Sequence, residues 1–141
     1  MKLTVIYWSG TGNTEEMADL IADGARDAGS EVEVKSVDEA DPRDVGACDV
    51  LALGCPSMGD EVLEEDEFEP YVASIENAIK GKKMALFGSY GWGDGQWMRD
   101  WVQRMRDAGA ELLADGLIVN EAPVGDDIER CKSLGRLLAA E

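Results

Sequence analysis

Ser9, Thr11, Asn13 and Thr14 bring four hydroxyl or amide side chains into the seven residues Trp8–Thr14 (WSGTGNT), with Gly10 and Gly12 between them. The stretch follows an apolar run, Leu3–Tyr7, and precedes a segment of helical periodicity, so it is expected to be the loop from a first buried strand into a first helix. Such a loop offers polar side chains, free backbone N–H groups and the positive end of a helix dipole, a combination that favours an anion. It holds no Lys or Arg and lacks the GxxxxGK spacing of a triphosphate loop, so it suits one terminal phosphate monoester. The plainer reading, a strand-to-helix turn made by Gly10 and Gly12, leaves the four polar side chains without a purpose.

Two further stretches have unusual composition. Ser89–Gly95 (SYGWGDG) sets Tyr90 and Trp92 among Gly91, Gly93 and Gly95, with Asp94 beside them, directly after an apolar run. A flat ring could stack there; the alternative is that Trp92 is an ordinary packing or surface residue. Pro56, Ser57, Met58, Gly59, Asp60 and Glu61 place a soft apolar side chain beside a glycine and carboxylates. Met58 could cover the other face of a ring while a carboxylate accepts a ring N–H, although Met58 could also merely anchor the loop. A planar, polar-edged ring joined by a chain to one phosphate describes flavin mononucleotide (FMN).

The 141 residues are expected to form one domain, residues 1–141. The net charge of -17, from 30 acidic and 13 basic residues, argues against nucleic acid or an anionic membrane as partner and favours a basic protein surface. Cys48, Cys55 and Cys131 show no CxxC, and there is no histidine, so neither a zinc nor an iron–sulfur site is expected. The cysteines read as small buried residues of a reduced compartment. Without histidine the commonest general base is missing, and chemistry falls to a cofactor. Nothing resembles a signal peptide or a membrane span, so a cytoplasmic location is expected.

The elements that must position these loops follow from periodicity. A first helix carries Met17, Leu20, Ile21, Gly24, Ala25 and Ala28 on one face, capped by Asn13 or Thr14 and stopped at Gly29. Glu31–Val37 alternates as an edge strand, Asp41-Pro42 opens a loop or short helix, and Asp49–Gly54 is a buried strand. After an acidic loop, Cys55–Glu67, a helix over 68–79 carries Phe68, Val72, Ile75 and Ile79; Met84–Gly88 is the next strand. A helix with Met98, Trp101, Val102 and Met105 inward ends at Gly109, Leu112–Val119 is a last strand broken near Asp115-Gly116, and Asp126–Ala140 is a helix with Ile128, Cys131, Leu134 or Gly135, and Leu138 inward. Alternating strands and helices predict an α/β fold with five parallel strands covered on both faces. Ligands of such sheets bind outside the carboxyl ends of the strands, where all three unusual loops converge.

At this point the motifs YWSGTGNT (Tyr7–Thr14), GCPSMGDEVLEE (Gly54–Glu65), EFEPY (Glu67–Tyr71) and ALFGSYGWGDGQWMRDW (Ala85–Trp101) resemble the short-chain flavodoxins of anaerobic bacteria over essentially the whole chain. The resemblance implies a flavodoxin-like, doubly wound five-stranded parallel sheet of order 2-1-3-4-5 with helices on both faces. It implies that Ser9, Gly10, Thr11, Gly12, Asn13 and Thr14 hold the FMN phosphate and that Met58 and Trp92 sandwich the isoalloxazine. The Gly59-Asp60 peptide would face flavin N5, and Glu61 would accept the N3–H. Pro56, Ser57, Ser89, Tyr90, Gly91 and Gly93 would complete the pocket, with Asp94 at its rim. From Glu111 onward the match is less distinct and no functional residue is carried over.

The expected activity is one-electron transfer between redox enzymes, FMN shuttling between semiquinone and hydroquinone at low potential. The partners would be ferredoxin-type redox proteins with basic docking surfaces, and the chain a monomer. One charge about 10 Å away opposes an added electron by ~1 to 2 kcal/mol at an effective dielectric of ~20, so Asp60, Glu61 and Asp94 together could lower the potential by on the order of 100 mV. The acidic run Asp60, Glu61, Glu64, Glu65, Asp66, Glu67 and Glu69 is read as the docking surface, against the plainer reading of a solvated loop. Gly59 is expected to let its peptide turn, with a positive φ at Asp60. The rival reading is a small NAD(P)H-dependent FMN or quinone reductase on the same fold, which would need room over the flavin and a basic group for the second cofactor. A phospho-accepting receiver domain is set aside because Gly54-Cys55 and Trp8-Ser9 stand where it needs carboxylates.

Overall fold

The computed structural model describes residues 1–141. In chain order it contains β1 (Lys2–Tyr7), α1 (Asn13–Asp27), β2 (Glu31–Ser36), two short 3-10 turns (Val37–Glu39 and Pro42–Val45) and β3 (Val50–Gly54). Then come α2 (Phe68–Ile75), β4 (Lys83–Tyr90), α3 (Gln96–Asp107), β5 (Glu111–Leu112), β6 (Leu117–Asn120) and α4 (Asp126–Ala139). The strands are parallel in the order β2-β1-β3-β4-β5, with β6 also on β4. The expected fifth strand is therefore two short ones. β5 pairs with Lys83 and Met84, and β6 with Phe87–Tyr90. The break falls around Asp115-Gly116, as the sequence indicated.

Period-two alternation in the central strands feeds two cores. Ile6, Leu51, Leu53, Met84 and Leu86 face α2 and α3 with Phe68, Trp97 and Trp101. Leu3, Val5, Ala52, Ala85 and Phe87 face α1 and α4 with Met17, Ile21 and Leu138. β3 is buried along its whole length, as a central strand of a two-sided sheet must be, whereas β2 at the edge leaves Glu31 and Glu33 exposed. On the second face α1 and α4 meet backbone to backbone. A Cβ on Gly24 would stand 2.1 Å from the Lys132 carbonyl oxygen, and one on Gly135 would stand 2.0 Å from that of Ile21. These mid-helix glycines are there for close approach, which outweighs the helix propensity an alanine would add.

Several boundaries differ from expectation. α1 is capped by Gly12 at φ 96°, not by Asn13 or Thr14, and neither Leu20 nor Ala28 is buried with the rest of its face. Ser9 explains this: its Oγ accepts the N–H groups of Gly12 (3.1 Å) and Glu15 (3.3 Å), doing a cap's work from outside the helix. α2 ends at Ile75, because an i→i+3 bond from Ala78 N–H to the Ile75 carbonyl (2.8 Å) tightens the chain, yet Ile79 still reaches the core. β4 continues to Tyr90, so Ser89 and Tyr90 belong to a strand instead of the following loop. Ile128 is exposed, since the buried stripe of α4 begins one turn later at Cys131. No helix is long and apolar enough to cross a membrane.

A candidate anion and ring cleft at the carboxyl ends of the strands

The loops after β1, β3 and β4 meet at the carboxyl edge of the sheet around a cleft of about 300 Å³. Its floor is the Trp8–Thr14 loop. The Trp8 indole lies over Gly10, where a Cβ would stand 3.0 Å from the ring, and its Nε1–H donates to Glu67 Oε1 at 3.2 Å. Any side chain at position 10 would press on that indole, so glycine suits the path of the loop beneath it. Thr14 is buried and its Oγ1 accepts the Ser89 N–H at 3.3 Å, so the floor is tied to β4 and the Thr14 O–H remains a donor. The N–H groups of Thr11, Asn13 and Thr14 find no acceptor within the protein. Free N–H groups at a helix N-terminus, with hydroxyls around them and no cation, make an anion cradle.

The walls differ in character. Met58 opens a tight turn closed by paired bonds with Val62, both 2.9 Å, and Ser57 N–H donates to the Ser89 carbonyl at 3.0 Å. On the other side Trp92 is 64% exposed, whereas Trp97 and Trp101 are both 2% exposed in the core. An indole left so open is not a packing residue. Tyr90 is half-buried against Trp97, ring centroids 5.8 Å apart, and so forms the base of that wall in place of a free stacking face.

The structure gathers Ser9, Gly10, Thr11, Asn13, Thr14, Pro56, Ser57, Met58, Ser89, Tyr90, Gly91 and Trp92 around the cleft. It leaves Gly12, Gly59, Asp60, Glu61, Gly93 and Asp94 outside the lining. Asp94 pairs with Arg99 at 2.9 Å. Glu61 Oε1 accepts the N–H groups of Gly95 (3.3 Å) and Gln96 (3.2 Å) at the start of α3, while Oε2 has no partner in the protein. The left-handed residues of the Met58–Val62 turn are Gly59 (φ 50°) and Glu61 (φ 58°), not Asp60 as expected.

Sequence reasoning missed Glu121, which lines the cleft from the end of β6. The rule that ligands gather at the carboxyl ends of strands would have pointed there, but the composition around it carries no signal. The acidic run also needs revision. Glu64 is buried, Glu67 holds Trp8, and Glu69 forms a bidentate pair with Arg104 at 2.7 Å. That leaves Asp60, Glu65 and Asp66 as its freely exposed members. Burial pushes the Cys55 thiol up to about 12, so this cysteine beneath the cleft stays protonated and inert.

The flavodoxin family model matches residues 5–135. The chain belongs to the flavodoxin family. It is 49% identical to a flavodoxin of Clostridium beijerinckii, over 97% of this chain and 99% of that one. It is 47% identical to a flavodoxin of Megasphaera elsdenii, over 96% of each. The solution structure of two-electron reduced Megasphaera elsdenii flavodoxin superposes with a TM-score of 0.92 at 45% identity, covering 99% of both chains. These relatives are the short-chain anaerobic type that the motifs resemble. Flavodoxins carry FMN and transfer electrons, so FMN is the cofactor of this chain and electron transfer its activity, and the reductase alternative is not favoured.

Proposed function

We propose that FMN lies in the cleft with its phosphate on Ser9–Thr14 and its ring between Met58 and Trp92, and that the chain carries single electrons at low potential. The observation that carries this reading is that unsatisfied N–H groups at the α1 N-terminus line the same cleft as an exposed indole and a thioether on the facing loops. The residues present fit the group: a cradle without cations suits a monophosphate, and the apolar walls suit a flat ring. FMN, when bound, supplies the redox chemistry. The chain binds the phosphate, orients the ring and excludes water from its faces. Glu61 Oε2, free of protein donors, is available to accept the ring N3–H.

Low potential follows from charge: electron uptake adds negative charge to a site inside a chain of net charge -17. The partners that fit this surface are redox proteins with basic patches; nucleic acid and anionic membranes do not fit it. Monomeric, cytoplasmic operation completes the reading. Stepwise reduction of the purified holoprotein tests it. The visible spectrum should pass through a distinct one-electron-reduced species before bleaching, and NADPH alone should bleach nothing rapidly. Direct two-electron bleaching would overturn the carrier reading.

The wall residue has its own test. Trp92→Ala should weaken FMN binding by roughly 1 to 3 kcal/mol, the scale of stacking on a base-like ring. Since little of the indole is packed on protein, the apoprotein of the variant should melt like the wild-type apoprotein. Fluorescence titration of the apoprotein reads both affinity and quenching; unchanged affinity with the flavin still dark would remove Trp92 from the ring site.

A further inference from the structure

Glu121 follows β6 at φ 57°, a left-handed conformation that a residue with a Cβ adopts only when its surroundings impose it. The surroundings here are explicit. Its N–H donates to the Tyr90 carbonyl at 2.9 Å, its own carbonyl accepts from Ser89 Oγ at 2.7 Å, and Asn120 Nδ2 donates to the same Tyr90 carbonyl at 3.3 Å. The turn is thus bolted to β4 by bonds that leave the carboxylate unused. Oε1 lies 3.3 Å from the position a Cβ on Gly91 would take, which sets the carboxylate over the loop that carries Trp92.

Among the residues lining the cleft, Glu121 alone carries a charge. Its carboxylate has no cation and no N–H partner. The other carboxylates expected to act on this site are offset: Asp94 by Arg99, and Glu61 by the N-terminal N–H groups of α3. Asp60 is exposed on its turn outside the lining.

We propose that Glu121 is the charge that sets how readily the cleft accepts an electron, its field opposing each gain of negative charge by the bound flavin. This rests on the reading that FMN occupies the cleft; the electron itself comes from a reduced partner protein. Because Glu121 is exposed, solvent and salt reduce its effect, and removing the charge should favour the added electron about three- to tenfold, or about 28 to 59 mV. Glu121→Gln keeps the size of the side chain and every hydrogen bond of the turn, none of which uses the Glu121 carboxylate.

The test is a redox titration of holoprotein at low and at high salt for the wild type, Glu121→Gln and Glu31→Gln. Glu31 is an exposed carboxylate at the start of β2, the end of the sheet opposite the cleft, so its removal changes net charge alone. The expected result is a raised potential in Glu121→Gln, smaller in high salt, with Glu31→Gln near the wild type. A Glu121→Gln shift no larger than that of Glu31→Gln overturns the proposal while FMN binding persists. Failure of wild-type apoprotein to bind FMN would instead remove the reading of the cleft itself.

Discussion

Riboflavin should bind the apoprotein at least about 100-fold more weakly than FMN. The two ligands differ by the phosphate alone, and the Trp8–Thr14 loop is the part of the cleft with no use for anything else. The N–H groups of Thr11, Asn13 and Thr14 have no protein acceptor, and the Thr14 hydroxyl, its oxygen already accepting from Ser89, keeps its own proton to donate. Each charge-assisted bond to an anion contributes about 1.5 to 3 kcal/mol. Two or three of them would give about 3 to 9 kcal/mol. Against them stands repulsion of a dianion by a chain of net charge -17, with no basic residue lining the cleft. Most of those charges lie beyond a Debye length of ~8 Å at physiological salt, so the opposing contribution is small and falls further as salt is added. A net preference near 3 kcal/mol corresponds to about 100-fold, and FMN affinity should increase with ionic strength whereas riboflavin affinity should not. Titration of apoprotein with each flavin at two salt concentrations measures both; equal affinities would mean that the loop is only a turn.

The parts of this site that could be read from the sequence are those where residue type and chain geometry coincide. Polar side chains between glycines after an apolar run mean a loop at a strand's carboxyl end, and three such loops in an α/β chain must meet. Trp92 was visible because glycines flank it. The fold was visible for a similar reason: a fully apolar β3 beside an alternating β2 already separates the centre of the sheet from its edge.

What escaped was set by tertiary contacts that leave no local trace. Glu121 sits in αL without being Gly, Asn or Asp, because Ser89 and Tyr90, some 30 residues earlier, hold its backbone. The turn after Met58 places its second left-handed residue at Glu61, where the carboxylate meets the α3 N-terminus, and not at Asp60, which tolerates that conformation better by type alone. Ser9 caps α1 from outside the helix, work that residue type alone assigns to Asn13 or Thr14 inside the first turn. In each case the deciding partner is distant in sequence or lies in a loop whose path periodicity does not describe.

Glu64 is the sharpest instance. In sequence it is one of seven acidic residues between Asp60 and Glu69 assigned to the docking run; in the fold it is 7% exposed. Its carboxylate accepts the N–H groups of Asp66, Glu67 and Phe68, each at 2.8 Å, at the start of α2. Glu67, at the cap position itself, makes no cap bond. Glu64→Ala would leave these donors without an acceptor, the Phe68 N–H in a buried place, and should cost about 2 to 4 kcal/mol, or about 5 to 15 °C in Tm. Glu65→Ala, at an exposed neighbour of the same charge, should change stability by about 0.5 kcal/mol or less. Burial alone would raise the Glu64 carboxyl, but the N–H groups of Phe68, Glu67 and Asp66 outweigh it and hold the pKa below the usual range. A lowered folded-state pKa means that the carboxylate stabilises the fold fully above its unfolded value, about 4.3, and that this contribution disappears as pH falls through the lower folded value. The melting difference between wild type and Glu64→Gln should therefore be full near pH 7 and shrink as the pH drops below about 4. A Glu64→Ala variant that melts with Glu65→Ala, or a difference from Glu64→Gln that ignores acid, would return Glu64 to the solvated surface and leave the start of α2 held by its packing alone.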